Sequence, residues 1–358
     1  MWPRAVPWRD LAFGVEIEFV GGRPQELELL PGWRLLPGEE QIDDDGSPSG
    51  GELVPPPLHW GERWQIHQML ARLRTMGARA NWSCGLHVHV GLEPWGEAIV
   101  GPLLDATLAC QEALQALVGM AEDRTRFCPP LTVAMRSAWT RQGGPEPLRH
   151  RDRPQSQRCG INLAAWYDHG TVEIRYANGS LRYAEVLRTV ELCLRFVAVA
   201  GRGTALAPTS AQDLRELIGG PLGGYPAPQP APAWYREHLR FEEALLPVLG
   251  PLALAQVSGE VLEIRSAGSG VIVVVVESAD GVPHPVPFLW VGDRWVPPTT
   301  CPTGAPGGTP PRRSPQEPEI TPSREILTIS RTFGHHGVTR SRQDPLGRPL
   351  DTRPRGDA

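Results

Sequence analysis

The sequence predicts a layered protein in which one β-sheet packs against helices along one of its faces. Strand-like and helix-like segments alternate through the first two hundred of its 358 residues. The strand-like segments alternate apolar and polar positions, which is typical of a sheet with one apolar face. The helix-like segments carry apolar residues at helical spacing, so each presents an apolar stripe to that face.

Local signals define the elements in chain order. "FGVEIEFVGG" alternates and then stops at two glycines, and "GGELVPPP" is a short strand that ends in prolines. "LHWGERWQIHQMLARLRTMG" has helical spacing and a terminal glycine. Strands are predicted at 13–22, 50–57, 84–92 and 170–180, and helices at 58–77, 97–120, 180–200 and 232–250.

Proline, glycine and turn signals divide the rest of the chain. Residues 201–233 are rich in Gly, Pro and Ala, and short β-rich runs follow at 257–298, separated by "SAGSG" and "SADG". From Thr299 onward Pro, Gly, Arg and Ser dominate, a composition that favours disorder. The predicted regions are a main domain (1–205), a helical and proline-rich extension (206–250), a small β module (251–298) and a disordered tail (299–358).

Composition excludes several classes of function. The net charge is −5, with no large basic block before the tail, so nucleic acid is not an expected partner. No run is long enough to span a bilayer, and the N-terminus lacks a signal-peptide layout. We therefore expect no membrane partner, a cytoplasmic location and reduced cysteines. The chain contains no lysine, which excludes a P-loop lysine and a Schiff-base lysine.

Three strand-like segments carry ionisable residues in pairs at positions i and i+2. They are "GVEIEFV", "CGLHVHVGL" and "GTVEIRY", and each has aliphatic residues between the pair. Residues at i and i+2 point to the same face of a strand. If these strands and the short strand before the prolines share a sheet, one face carries Glu16, Glu18, Glu52, His87, His89, Glu173 and Arg175.

Such a face favours a divalent metal ion. Crowded carboxylates repel one another and raise their own pKa values unless cations neutralise them. Carboxylate oxygens with an occasional imidazole favour Mg²⁺ or Mn²⁺ over Zn²⁺. The alternative is a solvated network of salt bridges on an open sheet. The pattern does not decide which of His87 and His89 binds metal and which bonds to substrate or to the protein.

The ordered motifs resemble the amidoligase family, which is similar in fold to glutamine synthetase and glutamate–cysteine ligase. They are "FGVEIEF", "DDGSPSGGELVPPPL", "CGLHVHVGL" and "RCGINLAAWYDHGTVEIRYANGSL", and they span about residues 10 to 200. The family often has "ELVSP" where this chain has "ELVPP", but no departure removes an implied ligand. The resemblance implies an α+β fold with a curved, mostly antiparallel, glutamine-synthetase-like sheet and makes residues 1–205 the catalytic domain.

The resemblance also implies an ATP-dependent ligase that joins a carboxylate to an amine through an acyl phosphate. Its substrates would be small molecules or peptides, and Mg²⁺ or Mn²⁺ would bridge the ATP phosphates. The oligomeric state stays open, a homo-oligomer included. By resemblance the metal ligands are Glu16, Glu18, Glu52 and His87, and the catalytic residues are Glu173, Arg175 and Arg158. Substrate or nucleotide would contact Asn162, His89, Asp45, Ser47 and Arg126. Arg124 is a further candidate, and a surface arginine is the alternative for both Arg124 and Arg126.

Two other classes of function fit parts of the pattern. Two histidines at i and i+2 on a strand also occur at zinc sites of barrel hydrolases, so a metal-dependent hydrolase is the second interpretation. A non-enzymatic scaffold is the third, although a scaffold has no physical reason to keep clustered carboxylates. Hydrolysis of an amide without ATP would favour the hydrolase over the ligase.

Overall fold

The computed structural model describes residues 2–37, 41–150, 158–278 and 281–297. The predicted disordered tail at 299–358 lies outside these ranges. The described chain divides into two compact units, the first ending at Glu237 and the second beginning at His238. Each unit has its own sheet and its own apolar core.

The first unit contains a six-stranded antiparallel sheet in the order β2-β3-β1-β4-β6-β5. The strands predicted to share a polar face, β1, β4 and β6, are neighbours at its centre, as the pattern predicts. The short strand before the prolines, β3, pairs with β1 on the other side. The strands are β1 Phe13–Phe19, β2 Arg34–Pro37, β3 Gly51–Val54, β4 Gly85–Gly91, β5 Ile161–Asn162 and β6 Thr171–Asn178.

Helices cover the apolar face of this sheet. Val15, Ile17 and Val88 point to that face and are fully buried. Helix α5 contacts β1 and β4, while α2 contacts β6. The sequence did not indicate the helices α3 and α4 or the short strands β2 and β5. The helices are α1 Trp64–Thr75, α2 Val100–Val118, α3 Val133–Gln142, α4 Ala165–His169, α5 Tyr183–Gly201, α6 Ala211–Ile218 and α7 Ala233–Leu254.

The second unit is a four-stranded antiparallel sheet in the order β10-β9-β8-β7. Its core includes Val274, Val276 and Phe288, which pack with Leu249 and Ala253 of α7. Its strands are β7 Gly259–Gly268, β8 Val271–Ser278, β9 Pro283–Val291 and β10 Arg294–Val296. The protein is therefore a mixed α and β structure whose main sheet is antiparallel. Among the described residues, none of the helices is both long and apolar enough to cross a membrane.

Candidate functional site

The polar face of the first sheet is built by cross-strand pairs. Glu18 of β1 lies opposite Glu52 of β3, and Glu16 lies opposite His87 of β4. On the other side of β4, His89 lies opposite Glu173 of β6, which in turn faces Asn162 of β5. Strand alternation and antiparallel register thus bring the predicted pairs together on one face.

Glu16 lies between the two histidines. Its Oε2 is 3.0 Å from Nδ1 of His87, and its Oε1 is 3.0 Å from Nε2 of His89. Burial alone would raise the pKa of Glu16, but the hydrogen bonds to both imidazoles hold it well below its ordinary value. Burial lowers the pKa of His89, but the hydrogen bond to Glu16 and the charges of Glu173 and Glu16 together raise it above its ordinary value. Glu16 is therefore ionised and held in one orientation.

Glu173 is the most deeply buried carboxylate of the face, at 2% exposure. Arg175 donates from Nη1 to its Oε1 at 2.6 Å, and Asn162 donates from Nδ2 to its Oε2 at 2.8 Å. Burial raises the pKa of Glu173, but the neighbouring positive charges, Arg175 first and then His89 and Arg158, together outweigh burial and lower it to about 2. The Glu173 carboxylate is thus charged and fixed at both oxygens.

An irregularity in the β4–β6 pairing places Arg175 beside His87. Leu86 pairs with Ala177 and Val88 with Ile174, so His87 faces two residues of β6 instead of one. The carbonyl of Arg175 accepts hydrogen bonds from Nη2 of Arg124 at 3.1 Å and from the Cys128 thiol. At this bulge, the side chains of Arg124 and Cys128 therefore make the hydrogen bonds to the β6 backbone that β4 would make in a regular ladder.

Arg124 is buried, so the surface-arginine alternative is wrong for it. Its Nη1 also donates to the carbonyl of Cys84 at 2.9 Å, just before β4 begins. Both of its described hydrogen bonds go to backbone carbonyls. Its position supports the ends of β4 and the bulge in β6, which are the segments that present His87 and Arg175.

Burial first, and neighbouring carboxylates second, keep the Glu52 carboxyl group in its neutral form. Burial raises the pKa of Glu52 to about 9, and repulsion from Glu16 and Glu18 adds to this effect. Glu18 accepts the Gly85 N–H at one oxygen and lies 3.6 Å from Nε2 of His87 at the other. A bound cation would allow Glu52 to ionise at neutral pH.

The remaining predicted residues lie around this centre or away from it. Arg158 is exposed, and its charge acts on Glu52, His89 and Glu173. Arg126 is half-buried in the turn that also holds Arg124. Asp45 and Ser47 form an exposed turn between β2 and β3, in which the Ser47 hydroxyl and N–H donate to the Asp45 carboxylate at 2.6 and 2.9 Å.

Sequence reasoning missed Thr171 and Gly85. The Oγ1 atom of Thr171 is 3.0 Å from Nδ1 of His89. Thr171 lies two residues before Glu173, and Gly85 lies two residues before His87, so strand alternation would have placed both on the polar face. A Cβ at Gly85 would lie 2.4 Å from Nη2 of Arg124 and 2.9 Å from Nε2 of His87. Glycine is therefore required there by the side chains above it.

Three side chains of the face could hold a metal ion together. One ligand atom from each of Glu16, His89 and Glu173 lies within 4.8 Å of the others. Two carboxylates and one imidazole form a donor set that suits Mg²⁺ or Mn²⁺. The three residues therefore fit such an ion. A bound cation would also favour the ionised form of Glu52, whose pKa is raised in its absence.

Comparison with known proteins supports the resemblance drawn from the motifs. Residues 37–197 match the family model described as "Putative amidoligase enzyme". The resemblance to the amidoligase family is thereby confirmed over this segment, and the coarse function it indicates is that of a ligase. None of the curated proteins matches the chain. The matched segment begins after β1, so Glu16 and Glu18 lie outside it. Strand β1 nevertheless pairs with β3 and β4, which lie within the matched segment.

Proposed function

We propose that the protein is an ATP-dependent carboxylate–amine ligase that forms an amide or peptide-like bond. The observation that carries the proposal is the convergence of Glu16, His89 and Glu173 beside Arg175, on a sheet that includes the matched amidoligase segment. Carboxylate and imidazole donors next to a fixed guanidinium provide what phosphoryl transfer requires, namely cation ligands and a permanent positive charge.

The proposal includes a glutamine-synthetase-like architecture for the first unit. Its support is an antiparallel sheet with helices on the apolar face and ionisable side chains on the other.

The chemistry follows from the weakness of a carboxylate as an electrophile. Transfer of the γ-phosphoryl group of ATP to a substrate carboxylate oxygen gives an acyl phosphate and ADP. The amine nitrogen then attacks the carbonyl carbon, the C–O bond to phosphate breaks, and phosphate leaves with that electron pair while the nitrogen loses a proton. Mg²⁺, when bound, would neutralise phosphate charge during the transfer.

The protein's own residues would divide this work. Glu16 and Glu173 are ionised and hydrogen-bonded, so their charge is already in place for a cation. Nη1 of Arg175 lies 2.6 Å from Oε1 of Glu173, so Arg175 places a permanent positive charge beside this carboxylate. Arg158 is exposed beside the face and can reach a phosphate or a substrate carboxylate from solvent. Asn162 holds Glu173 in orientation at 2.8 Å.

The proposed substrates are a small-molecule or peptide carboxylate and an amine. We also propose a cytoplasmic location, where ATP is available. The five cysteines at Cys84, Cys110, Cys128, Cys159 and Cys193 are all free thiols in the described part of the chain, which is in keeping with a reducing compartment.

The test is product formation from a pooled substrate set. The full chain is incubated with ATP, Mg²⁺ and pooled amino acids and short peptides, and mass spectrometry identifies any new amide together with ADP and phosphate. We expect an amide product that requires ATP, and its loss in the Glu16→Gln variant. Glu243→Gln is the matched control because Glu243 is an exposed residue of α7.

The outcomes separate the candidate classes of enzyme. An amide product with equal amounts of ADP and phosphate supports the ligase. Cleavage of the pooled peptides without ATP would instead support a metal-dependent hydrolase at the same face. ATP consumption that is unchanged by Glu16→Gln would reject this face as the active site.

A further inference from the structure

The two histidines of β4 differ in what surrounds them. We infer that His89, and not His87, supplies the imidazole ligand of the cation site, and that Thr171 is the positioning residue that directs Nε2 of His89 toward the ion. The inference rests on the proposed function, because it concerns how the same site holds its metal.

His89 is held at one nitrogen and open to carboxylates at the other. Its Nδ1 lies 3.0 Å from the Thr171 hydroxyl, and its Nε2 lies 3.0 Å from Oε1 of Glu16. Metal-binding histidines usually use one ring nitrogen as the ligand while the other donates to a fixed oxygen. If Nδ1–H donates to Thr171, Nε2 can give up the proton that it shares with Glu16 and present its lone pair to an ion on the carboxylate side.

The ligand atoms of this group are already close to the spacing that an ion requires. Atoms of Glu16, His89 and Glu173 lie within 4.8 Å of one another. Two ligands on opposite sides of Mg²⁺ are about 4.2 Å apart, since each bond is about 2.1 Å. Small side-chain movements would therefore close the site around the ion.

The ring nitrogens of His87 contact both carboxylates and guanidinium groups. Glu16 lies 3.0 Å from its Nδ1, and Glu18 lies 3.6 Å from its Nε2. Nη1 of Arg175 lies 3.4 Å from Nδ1 of His87. On the other side of the ring, a Cβ added at Gly85 would lie 2.9 Å from Nε2 of His87 and 2.4 Å from Nη2 of Arg124. A divalent cation on Nδ1 of His87 would lie beside the Arg175 guanidinium, and at 4% exposure water gives little screening.

The charges near His89 favour a cation. Glu16 lies 3.0 Å from Nε2 of His89, and oxygens of Glu16 and Glu173 lie within 4.8 Å of a His89 ring nitrogen and of each other. Arg158 is exposed, so solvent screens its charge. His87 then serves as a bridge that orients Glu16 and Glu18, at 3.0 and 3.6 Å, instead of binding the ion.

Mn²⁺ added to the full chain provides a direct test, because electron spin-echo envelope modulation detects a nitrogen ligand through its ¹⁴N coupling. We expect ¹⁴N modulation in the wild type and in His87→Gln, and its loss in His89→Gln. Thr171→Val keeps the shape of the side chain and removes the hydroxyl, so Mn²⁺ affinity should fall roughly 10- to 100-fold. Thr171→Ser should retain wild-type affinity.

Thr107→Val is the matched control for loss of a threonine hydroxyl. Thr107 is buried on α2, and its hydroxyl has no hydrogen-bond partner in the described structure. It should leave Mn²⁺ affinity unchanged. Two results would overturn the inference without affecting the proposed function. One is a nitrogen signal that disappears in His87→Gln and persists in His89→Gln. The other is a Mn²⁺ affinity of Thr171→Val equal to that of the wild type. A wild type that binds no Mn²⁺ would overturn the inference together with the proposed metal dependence.

Discussion

The tripeptide Glu-Ile-Arg occurs in both sheets, as residues 173–175 in β6 and 263–265 in β7. In β6 the guanidinium lies 2.6 Å from the carboxylate and helps to lower the pKa of Glu173 to about 2 despite burial. In β7 the nearest Arg265–Glu263 distance is 3.5 Å, and burial raises the pKa of Glu263. In the same tripeptide, the pKa of the glutamate is therefore lowered in β6 and raised in β7.

The difference comes from the residues across the strands. Glu173 lies opposite His89 on one side and Asn162 on the other. Glu263 lies opposite Val275, and the Glu242 carboxylate adds repulsion. A charged pair on a strand becomes a site only where neighbouring strands add polar groups that can share a ligand.

The largest expected effect is the loss of Arg175. Arg175→Met leaves the Glu173 carboxylate buried without its cation, which should cost about 3–5 kcal/mol of unfolding free energy. Arg265→Met is the matched change in β7 and should cost less than about 1 kcal/mol, because that side chain is 32% exposed. Urea unfolding in EDTA measures both, and equal losses would remove the distinction between the two tripeptides.

The next effect concerns the pH dependence of Glu173. Its folded pKa is about 2, below its ordinary value, so its ionised form stabilises the fold above its ordinary pKa. That contribution, roughly 3 kcal/mol in full, should decrease as pH falls from about 4.5 toward 2. Glu173→Gln should flatten this part of the stability curve in metal-free buffer. An unchanged acid limb in the variant would show that Arg175 does not hold Glu173 ionised.

A smaller effect is expected from adding one methyl group at Gly85. Gly85→Ala places a Cβ 2.4 Å from Nη2 of Arg124, which is held by two carbonyls and cannot move freely. We expect a loss of about 1–3 kcal/mol from overpacking and weaker Mn²⁺ binding. Gly14→Ala is the control on the same face, because its Cβ would lie 3.7 Å from Cβ of His89. Equal stability of the two variants would contradict the role of Arg124 as a support of β4.

How much of this site the sequence could predict depends on the range of each interaction. Alternation along single strands predicted the pairs of β1, β4 and β6, and the same rule would have included Thr171 and Gly85. Asn162 was predicted only from the family motif, since β5 has two residues and shows no period.

Other features depend on pairing between distant segments and could not be predicted from local pattern. The position of Arg124 depends on where the turn Glu122–Arg126 packs, and the bulge beside His87 depends on register between β4 and β6. The surroundings that distinguish His87 from His89 arise from these same contacts. The family resemblance implied a mostly antiparallel first sheet, but the order of its six strands became visible only from their pairing.

The smallest expected effect is a gain in stability in β7. Burial is the main reason that the pKa of Glu263 is raised, with Glu242 adding to it and Arg265 opposing it. A carboxyl group with a raised folded pKa contributes stability below its ordinary pKa and loses it as pH rises through the folded value. Glu263→Gln should therefore raise the unfolding free energy at pH 7 by less than about 1 kcal/mol and leave it nearly unchanged at pH 4.

Calorimetry at both pH values, with hydrogen exchange of β7, measures the change in the second unit. Glu243→Gln, an exposed change in the same unit, should show no such dependence. If Glu263→Gln instead destabilised the protein at pH 7, the pair with Arg265 would outweigh burial, and the two tripeptides would differ in degree and not in kind.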